Sequence, residues 1–171
     1  MMRLLRDTRG VSAIEFAFAL PFLLLLYLGG YQVSDAISAY RKVTVTTRTV
    51  ADLATQYTEV KDQDLDQILA ASQQVMAPYQ LANAAITVTQ VSVDNSGNAK
   101  VSWSRGLNAT ALAQDSAYTL PSQVKQNNTS LIVATVNYNY VPLVSKMMGT
   151  LPMRDTIMMS PRASASVKKV S

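Results

Sequence analysis

The sequence contains no cysteine and no histidine among its 171 residues. Their absence removes disulfide bridges, cysteine nucleophiles, Ser-His-Asp triads and the common zinc sites. A G-x-S-x-G turn and a glycine-rich phosphate loop are missing as well. Most familiar catalytic chemistry is therefore excluded, and we expect a protein that is not an enzyme and that uses no metal and no cofactor.

Charged residues are also scarce, at 15% of the chain against about 25% in average globular domains. Apolar residues make up 49%. This balance favours a chain that is membrane-associated or built into an assembly over a freely soluble enzyme. The net charge is +4, and three arginines against one aspartate in the first ten residues supply +2 of it. No Lys/Arg cluster interleaved with aromatics is present, so we expect no nucleic-acid partner.

The longest stretch without charge runs from Phe16 to Ser34, 19 residues. As a helix it would span about 28 Å, close to the ~30 Å hydrocarbon thickness of a bilayer. A secretory signal peptide has a shorter apolar core with a small-residue cleavage site after it. Here the run continues through Gly29 and Gly30 into a helical pattern, so a retained transmembrane helix is favoured over a cleaved signal.

The charges on either side orient this run. Three arginines precede it, and the first charge after it is Asp35. The positive-inside rule therefore predicts a single-pass protein of the bacterial inner membrane, with a cytoplasmic N-terminus and a periplasmic C-terminal domain. Pro21 lies inside the run, where it removes one helical N–H donor, so a kink or local melting is expected there.

A single acidic residue, Glu15, stands at the start of the apolar run. A charged side chain costs about 2.5–3.5 kcal/mol at the bilayer centre and less near the interface, where Glu15 would lie. The residues alone leave two interpretations open. Glu15 is either a boundary residue at the level of the headgroups or a carboxylate kept for a function.

The surroundings of Glu15 follow a known pattern. Residues 10–16, G-V-S-A-I-E-F, resemble the processing site of type IV pilin-like proteins, in which glutamate is the fifth residue after a glycine. Residues 17–31, A-F-A-L-P-F-L-L-L-L-Y-L-G-G-Y, and the D-x-x-G ending of the short leader resemble the TadE-like pseudopilins of the tight-adherence (Tad, or Flp) pilus system. The aromatic after the glutamate is Phe16, where that branch usually has tyrosine.

The resemblance implies a processing site and an assembly site. A prepilin peptidase would cut after Gly10 on the cytoplasmic side and leave Val11 as the first residue, with a free α-amine. Glycine suits this position because a residue without a Cβ lets the backbone approach the protease closely. In a stack of such helices, Glu15 of one subunit would pair with the amine of its neighbour, each charge compensating the other. Phe16 would belong to the same recognition segment.

The resemblance also implies a function, that of a minor pseudopilin that supports pilus biogenesis and surface adherence. The expected partners are other pilins and pseudopilins, the Tad secretion platform, the prepilin peptidase and the inner membrane. The alternative is an uncleaved single-pass membrane protein whose periplasmic domain binds partners of the same machinery. Whether the subunit enters the fibre stays open at this stage.

A helical stripe continues beyond Ser34 and predicts that the helix extends as a stem to about Gln56. Its members recur at steps of three and four: Ile37, Tyr40, Val43, Thr47, Val50, Ala54 and Tyr57. The stripe is either part of a core or the face that packs on other subunits.

Three aspartates, Asp62, Asp64 and Asp66, open a second helical pattern that ends at Pro78. They raise the question of a calcium loop. An EF-hand loop needs a glycine at its sixth position and a glutamate at its twelfth, and both positions are glutamine here. Acidic residues at the start of a helix are instead stabilised by its dipole, so we interpret them as helix-start residues.

Period-two alternation then replaces the helical pattern. It predicts a hairpin loop at 94–98 and strands at 86–93, 99–104, 130–140, 156–159 and 163–169. Together with the helices these predict an α+β fold, in which a long N-terminal transmembrane and stem helix precedes a small pilin-like domain with an antiparallel sheet.

The expected organisation is a basic leader at 1–10, a transmembrane helix at 11–34, its stem continuation at 35–60 and an exported α+β domain at 61–171. Aromatic residues on strands usually pack in a core, so Trp103, Tyr138 and Tyr140 are expected there rather than in a sugar-binding platform. The methionine pairs at 147–148 and 158–159 are expected to fill a loose core or a subunit interface.

Overall fold

The computed structural model describes residues 9–142 and 149–170. The chain divides into two compact units, one ending at Ser38 and the other beginning at Ala39. The leader residues before Arg9 and the methionine pair 147–148 lie outside the described residues.

The first element is a single helix, α1, which spans Arg9–Thr55. Its end lies one residue before the predicted end at Gln56. Pro21 lies inside it, and the helical backbone is continuous on both sides of this residue. The helix therefore ends close to Gln56, although β-branched residues lower the helix propensity of its second half, whereas residues 56–60 of the expected stem at 35–60 are not helical.

Two helices and six strands make up the described chain, together with a 3₁₀ turn at Leu81–Asn83. After α1 the elements are β1 at Glu59–Val60, α2 at Asp62–Met76, β2 at Ala84–Val93, β3 at Ala99–Leu107, β4 at Ser130–Tyr140, β5 at Leu151–Met159 and β6 at Lys168–Lys169. The α+β fold class is confirmed.

The main sheet has four strands in the order β3-β2-β4-β5, and every neighbouring pair is antiparallel. The bounds of β4 agree with the prediction, whereas β5 begins five residues before the predicted Thr156. A β-bulge between Gln90 and Val91 shifts the register of β2 against β3.

The predicted strand at 163–169 is wrong in most of its length. Only Lys168–Lys169 forms a strand, and it pairs in parallel with β1 in a separate two-stranded sheet. The physical reason lies in the backbone of Val167, whose N–H donates to Gln90 Oε1 at 2.8 Å and whose carbonyl accepts from Trp103 Nε1 at 2.7 Å. Because side chains bind these backbone groups, the segment has no need of a ladder in the main sheet.

One face of the main sheet carries the fully buried residues Ile86, Val88, Ile132, Ala134 and Val136. Helix α2 lies on this face, since Arg105, which is paired with Val88 in the register, contacts Asp66 of α2.

The opposite face carries a second apolar cluster. Its buried members are Val91, Val93, Ala99, Leu120, Leu131 and Val133. Tyr118 and Met158 pack against it. Met158 is therefore a core filler, as predicted.

The three aspartates of α2 are engaged in contacts within the protein. Asp64 accepts the backbone N–H of Lys61 at 2.8 Å, which satisfies one of the free donors at the start of the helix. Asp66 binds the Arg105 guanidinium through both carboxylate oxygens, at 2.8 and 2.7 Å. These hydrogen bonds hold the pKa of Asp66 below its ordinary value. Asp62 binds Lys169 at 2.8 Å, so the acidic cluster attaches α2 to β3 and β6.

The helical stripe of the stem divides between the two interpretations. Val43, Thr47, Val50 and Ala54 are fully buried and belong to the core of the second unit. Tyr40, by contrast, is 48% exposed. The core interpretation is therefore confirmed for the C-terminal part of the stripe, from Val43 to Ala54, and does not extend to Tyr40.

Two neighbouring threonines of α1 offer a matched test of this core. Both are fully buried, but the Thr47 hydroxyl donates to the Val43 carbonyl at 2.8 Å, whereas the Thr46 hydroxyl has no hydrogen-bond partner among the described residues. A buried hydroxyl without a partner costs about 1–3 kcal/mol. We therefore expect Thr46→Val to raise the free energy of unfolding by about 1–2 kcal/mol.

The measurement is urea unfolding of the full chain in detergent. The midpoints of the variant and the parent are compared, with the slope of the unfolding free energy against urea concentration expected to be unchanged. Thr47→Val is the control, because it removes a hydroxyl that is already satisfied, and we expect it to be neutral or destabilising. Equal stabilisation by the two substitutions would contradict the assignment of Thr46 as unsatisfied.

Candidate functional site

The candidate site is the beginning of α1, and its residues are all helical. Gly10 and Val11 form the first turn, Glu15 and Phe16 follow about one turn later, and Pro21 lies further along. Residues four apart on a helix lie on the same face, with Cβ atoms about 5–6 Å apart. The side chains of Val11 and Glu15 therefore lie on the same side of α1.

This part of α1 is solvent-exposed throughout and, apart from Ser12 and Glu15, almost entirely apolar. Every residue from 10 to 31 is exposed, including Phe16 at 59% and Leu26 at 74%. An exposed apolar surface of this length is unfavourable in water, because the hydrophobic effect favours its removal from water. Such a surface marks a site of contact with a membrane or with another protein.

The helix from Gly10 to Thr55 is long and apolar enough to cross a membrane, with a mean hydropathy of 2.1 over 18 residues. It is the one helix in the described part of the chain with this property, and none of that apolar window is buried. Length, hydropathy and exposure are together compatible with a membrane-anchored protein.

Gly10 is not required by packing. A Cβ added at this position would meet no atom within 4 Å among the described residues, and the same is true of Gly29 and Gly30. Glycine inside a helix costs about 1 kcal/mol relative to alanine. Packing against the described residues therefore does not account for the glycine at position 10.

Glu15 has no ion pair or hydrogen bond within the described residues, and its side chain is exposed. The first acidic or basic residue that follows it is Asp35, 20 residues later. An isolated carboxylate at the edge of an apolar surface is free to interact with a group that the chain itself does not supply.

Phe16 and Pro21 add two features to this surface. Phe16 is exposed directly beside Glu15, so its ring belongs to the contact surface and not to a core. Pro21 leaves the carbonyl of Ala17 without its usual helical donor. A kink at Pro21 stays a prediction.

The aromatic residues of the sheet lie elsewhere and are buried. Trp103, Tyr138 and Tyr140 are each at most 4% exposed. The Tyr138 ring packs edge-on against Tyr79, with centroids 6.3 Å apart. The prediction that these residues belong to the core is confirmed, so they form no exposed platform for a sugar.

Sequence reasoning missed the attachment of the C-terminal segment by Gln90 and Trp103. The sequence contained one signal of it. Gln90 lies on the same face of β2 as the buried Ile86 and Val88, where an apolar residue is expected. The attachment borders an open groove of about 710 Å³, whose walls include Ser92, Ser102 and Lys168.

Residues 10–52 match the family model of TadE-like proteins. The match covers 43 of 171 residues (10 to 52 inclusive), so the likeness is confined to α1 and does not reach the sheet. Neither a curated protein nor a solved structure matches the chain.

Proposed function

We propose that this chain is a minor pseudopilin of a Tad-type (Flp) pilus system, an assembly component and not an enzyme. One observation carries the proposal: the TadE-like match, residues 10–52, contains the exposed apolar residues 10–31 of α1. The apolar part of α1 supplies the membrane and assembly surface. The second compact unit, which begins at Ala39 and contains the main sheet (the sheet unit), supplies the exported domain.

The proposed topology places the leader in the cytoplasm, the apolar part of α1 in the inner membrane and the sheet unit in the periplasm. The charge distribution supports it, since three arginines precede the apolar run and Asp35 follows it. In this arrangement Gly10 lies at the cytoplasmic interface, within reach of a membrane-embedded peptidase.

The proposed processing step is hydrolysis of the peptide bond between Gly10 and Val11 by a prepilin peptidase. The open surroundings of Gly10 support it, because no described residue packs closely enough to need a glycine there, whereas close approach of a protease backbone would. The products are a ten-residue leader ending in a carboxylate and a mature chain whose first residue, Val11, carries a free α-amine.

The proposed assembly step is pairing between this amine and Glu15 of a neighbouring subunit. An unpaired charge near the hydrocarbon is unfavourable, so association of two helices that pair their charges removes a penalty that each carries alone. The expected neighbours are other pilins and pseudopilins on the Tad secretion platform, and the outcome is pilus biogenesis and surface adherence.

Two glycine substitutions test the processing step. We expect Gly10→Val to retain the ten-residue leader in cells with an active prepilin peptidase, because a β-branched side chain keeps the protease from the scissile bond. The measurement is the intact mass of the chain extracted from membranes.

Gly30→Val is the matched control, since Gly30 lies in the same helix and has equally open surroundings. We expect its mature mass to correspond to a chain beginning at Val11. If the parent and both variants all retain the leader, the uncleaved membrane protein becomes the better account. If Gly10→Val begins at Val11 like the parent, the proposed need for glycine at position 10 is contradicted.

A further inference from the structure

The two outer edges of the main sheet, β3 and β5, differ in their backbone hydrogen bonds. The outer edge of β3 is covered by residues 115–118, through hydrogen bonds from Val101 N–H to Ser116 O at 2.9 Å, from Asp115 N–H to Val101 O at 2.8 Å and from Tyr118 N–H to Ala99 O at 2.9 Å. The outer edge of β5 makes no backbone hydrogen bond within residues 9–142 and 149–170. A nine-residue edge without a backbone partner in the described part of the chain is a template for another strand.

The hydrogen-bond phase of the sheet identifies which β5 residues face outward. The Val93 N–H donates to Thr129 O at 2.8 Å, which makes this a hydrogen-bonded pair. Hydrogen-bonded pairs alternate along an antiparallel ladder, so Thr87 and Thr135, opposite each other six residues further along, form one as well. The backbone groups of Thr135 therefore point to β2 and away from β5.

Thr135 lies opposite Thr156 in the pairing of β4 with β5. The backbone N–H and C=O of Thr135 point away from β5, so this is a non-hydrogen-bonded pair. The backbone N–H and C=O of Thr156 therefore point to the open edge. The 3.0 Å contact between the two threonine hydroxyls agrees, since side chains approach more closely in such pairs. By alternation, the outward residues of β5 are Pro152, Arg154, Thr156 and Met158.

Proline gives an independent check of this phase. Pro152 has no N–H, and a proline in a strand is tolerated where its nitrogen faces away from the ladder. Its position among the outward residues satisfies that condition. The open edge thus offers three residues with both a donor and an acceptor, namely Arg154, Thr156 and Met158.

We propose that β5 pairs with β5 of a second copy of this chain, in antiparallel orientation and centred on Thr156. In this register Thr156 lies opposite itself, and Arg154 of each copy lies opposite Met158 of the other. All three outward residues are then hydrogen-bonded, giving about six new backbone hydrogen bonds. The two four-stranded sheets join into one continuous sheet.

The charges of β5 exclude two neighbouring registers, and a register centred on Ile157 would pair only two of the three outward residues with each other. Centring the pair on Arg154 would place two arginines opposite each other, and centring it on Asp155 would do the same with two aspartates, both of which are unfavourable. The register centred on Thr156 places Asp155 opposite Ile157 and leaves each Arg154 beside a methionine. It also places Met153 opposite Met159, so apolar side chains meet on that face. The strand is complementary to itself, which favours a second copy over an unrelated chain.

The absence of cysteine allows a direct test by single-cysteine cross-linking in native membranes. In the proposed register the two Thr156 Cα atoms lie about 5.5 Å apart, within the range that a disulfide bridges. We expect Thr156→Cys to give a covalent dimer after mild oxidation or with a short thiol-to-thiol cross-linker.

Arg154→Cys is the matched control, because it lies on the same strand and the same outward phase. Its two copies would be about 14 Å apart along the strands, so we expect no dimer from Arg154→Cys alone. A mixture of differently tagged Arg154→Cys and Met158→Cys chains should instead give the mixed dimer, which provides a second measurement if Thr156→Cys folds poorly.

The proposal would be overturned if neither Thr156→Cys nor the mixture gave a dimer, if Arg154→Cys dimerised as readily as Thr156→Cys, or if Thr156→Cys were captured only by a different protein. The pairing depends on the sheet and not on processing. The Thr156→Cys dimer is therefore also expected in the Gly10→Val background, so failure of the pairing and failure of the processing step are distinguishable.

Discussion

Replacing Glu15 with alanine is expected to leave membrane insertion intact and to lower pilus output at least about tenfold. Insertion should survive because removing a charge from an apolar helix makes its transfer into the bilayer more favourable. Assembly should fail because the α-amine of Val11 in a neighbouring subunit would lose its counter-charge. Removing one partner of a buried ion pair costs about 3–5 kcal/mol, and about 1.4 kcal/mol already corresponds to a factor of ten.

The measurement compares sheared surface fibres with the amount of chain retained in membranes. Glu15→Gln keeps the size of the side chain without its charge, and we expect it to behave like Glu15→Ala. Glu59→Ala serves as the control, since Glu59 is an exposed acidic residue in the sheet unit. Normal fibre output from both Glu15 variants would remove the proposed role of this carboxylate.

The second large effect is expected at the attachment of the C-terminal segment. Val167 is fully buried, and the side chains of Trp103 and Gln90 bind its two backbone groups at 2.7 and 2.8 Å. The double variant Trp103→Phe/Gln90→Leu would leave both groups buried without partners. Each orphaned group costs about 1–3 kcal/mol, so we expect the free energy of unfolding to fall by about 2–5 kcal/mol.

Urea unfolding of the full chain in detergent measures this loss. Ser164→Ala is the control, because it also removes a hydrogen bond from the C-terminal segment, the one from Ser164 Oγ to Ser166 O at 2.7 Å, without touching the contact with the sheet. We expect that variant to lose less than about 1 kcal/mol. A double variant no less stable than Ser164→Ala would show that the attachment through Val167 contributes little to the fold.

Local patterns were sufficient to predict α1, α2 and the strands β2, β3 and β4. The exposed first part of α1 was predicted from its uncharged apolar length, whereas in the rest of α1 and in the other elements buried residues recur with the period of a helix or a strand. Strand β4 differs slightly, because it lies between β2 and β5: all residues at 131–136 are buried, and its apolar run extends from Leu131 to Ala134.

Two C-terminal features could not be predicted in this way. The start of β5 was missed because Pro152, Arg154 and Asp155 interrupt the apolar pattern, as expected for a strand with an open edge. The path of residues 163–169 was missed because it depends on side chains that lie 64 and 77 residues earlier in the chain. No pattern within the segment itself contains that information.

The candidate site could be proposed from the sequence alone, and its role stays a prediction. The spacing of Gly10, Glu15 and Phe16 lies within two helical turns, so it could be recognised without any long-range contact. The structure adds the exposure of these residues and the open space around Gly10. The pairing edge of β5 could not be predicted, because its outward phase depends on the register of three strands.

The identity of the first residue of the parent chain, purified from native membranes of cells with an active prepilin peptidase, tests the central claim most directly. Intact-mass measurement together with N-terminal sequencing gives this identity. The account predicts a mature chain that begins at Val11 and continues V-S-A-I-E-F. A chain that still begins at Met1 or Met2 in those cells would contradict it.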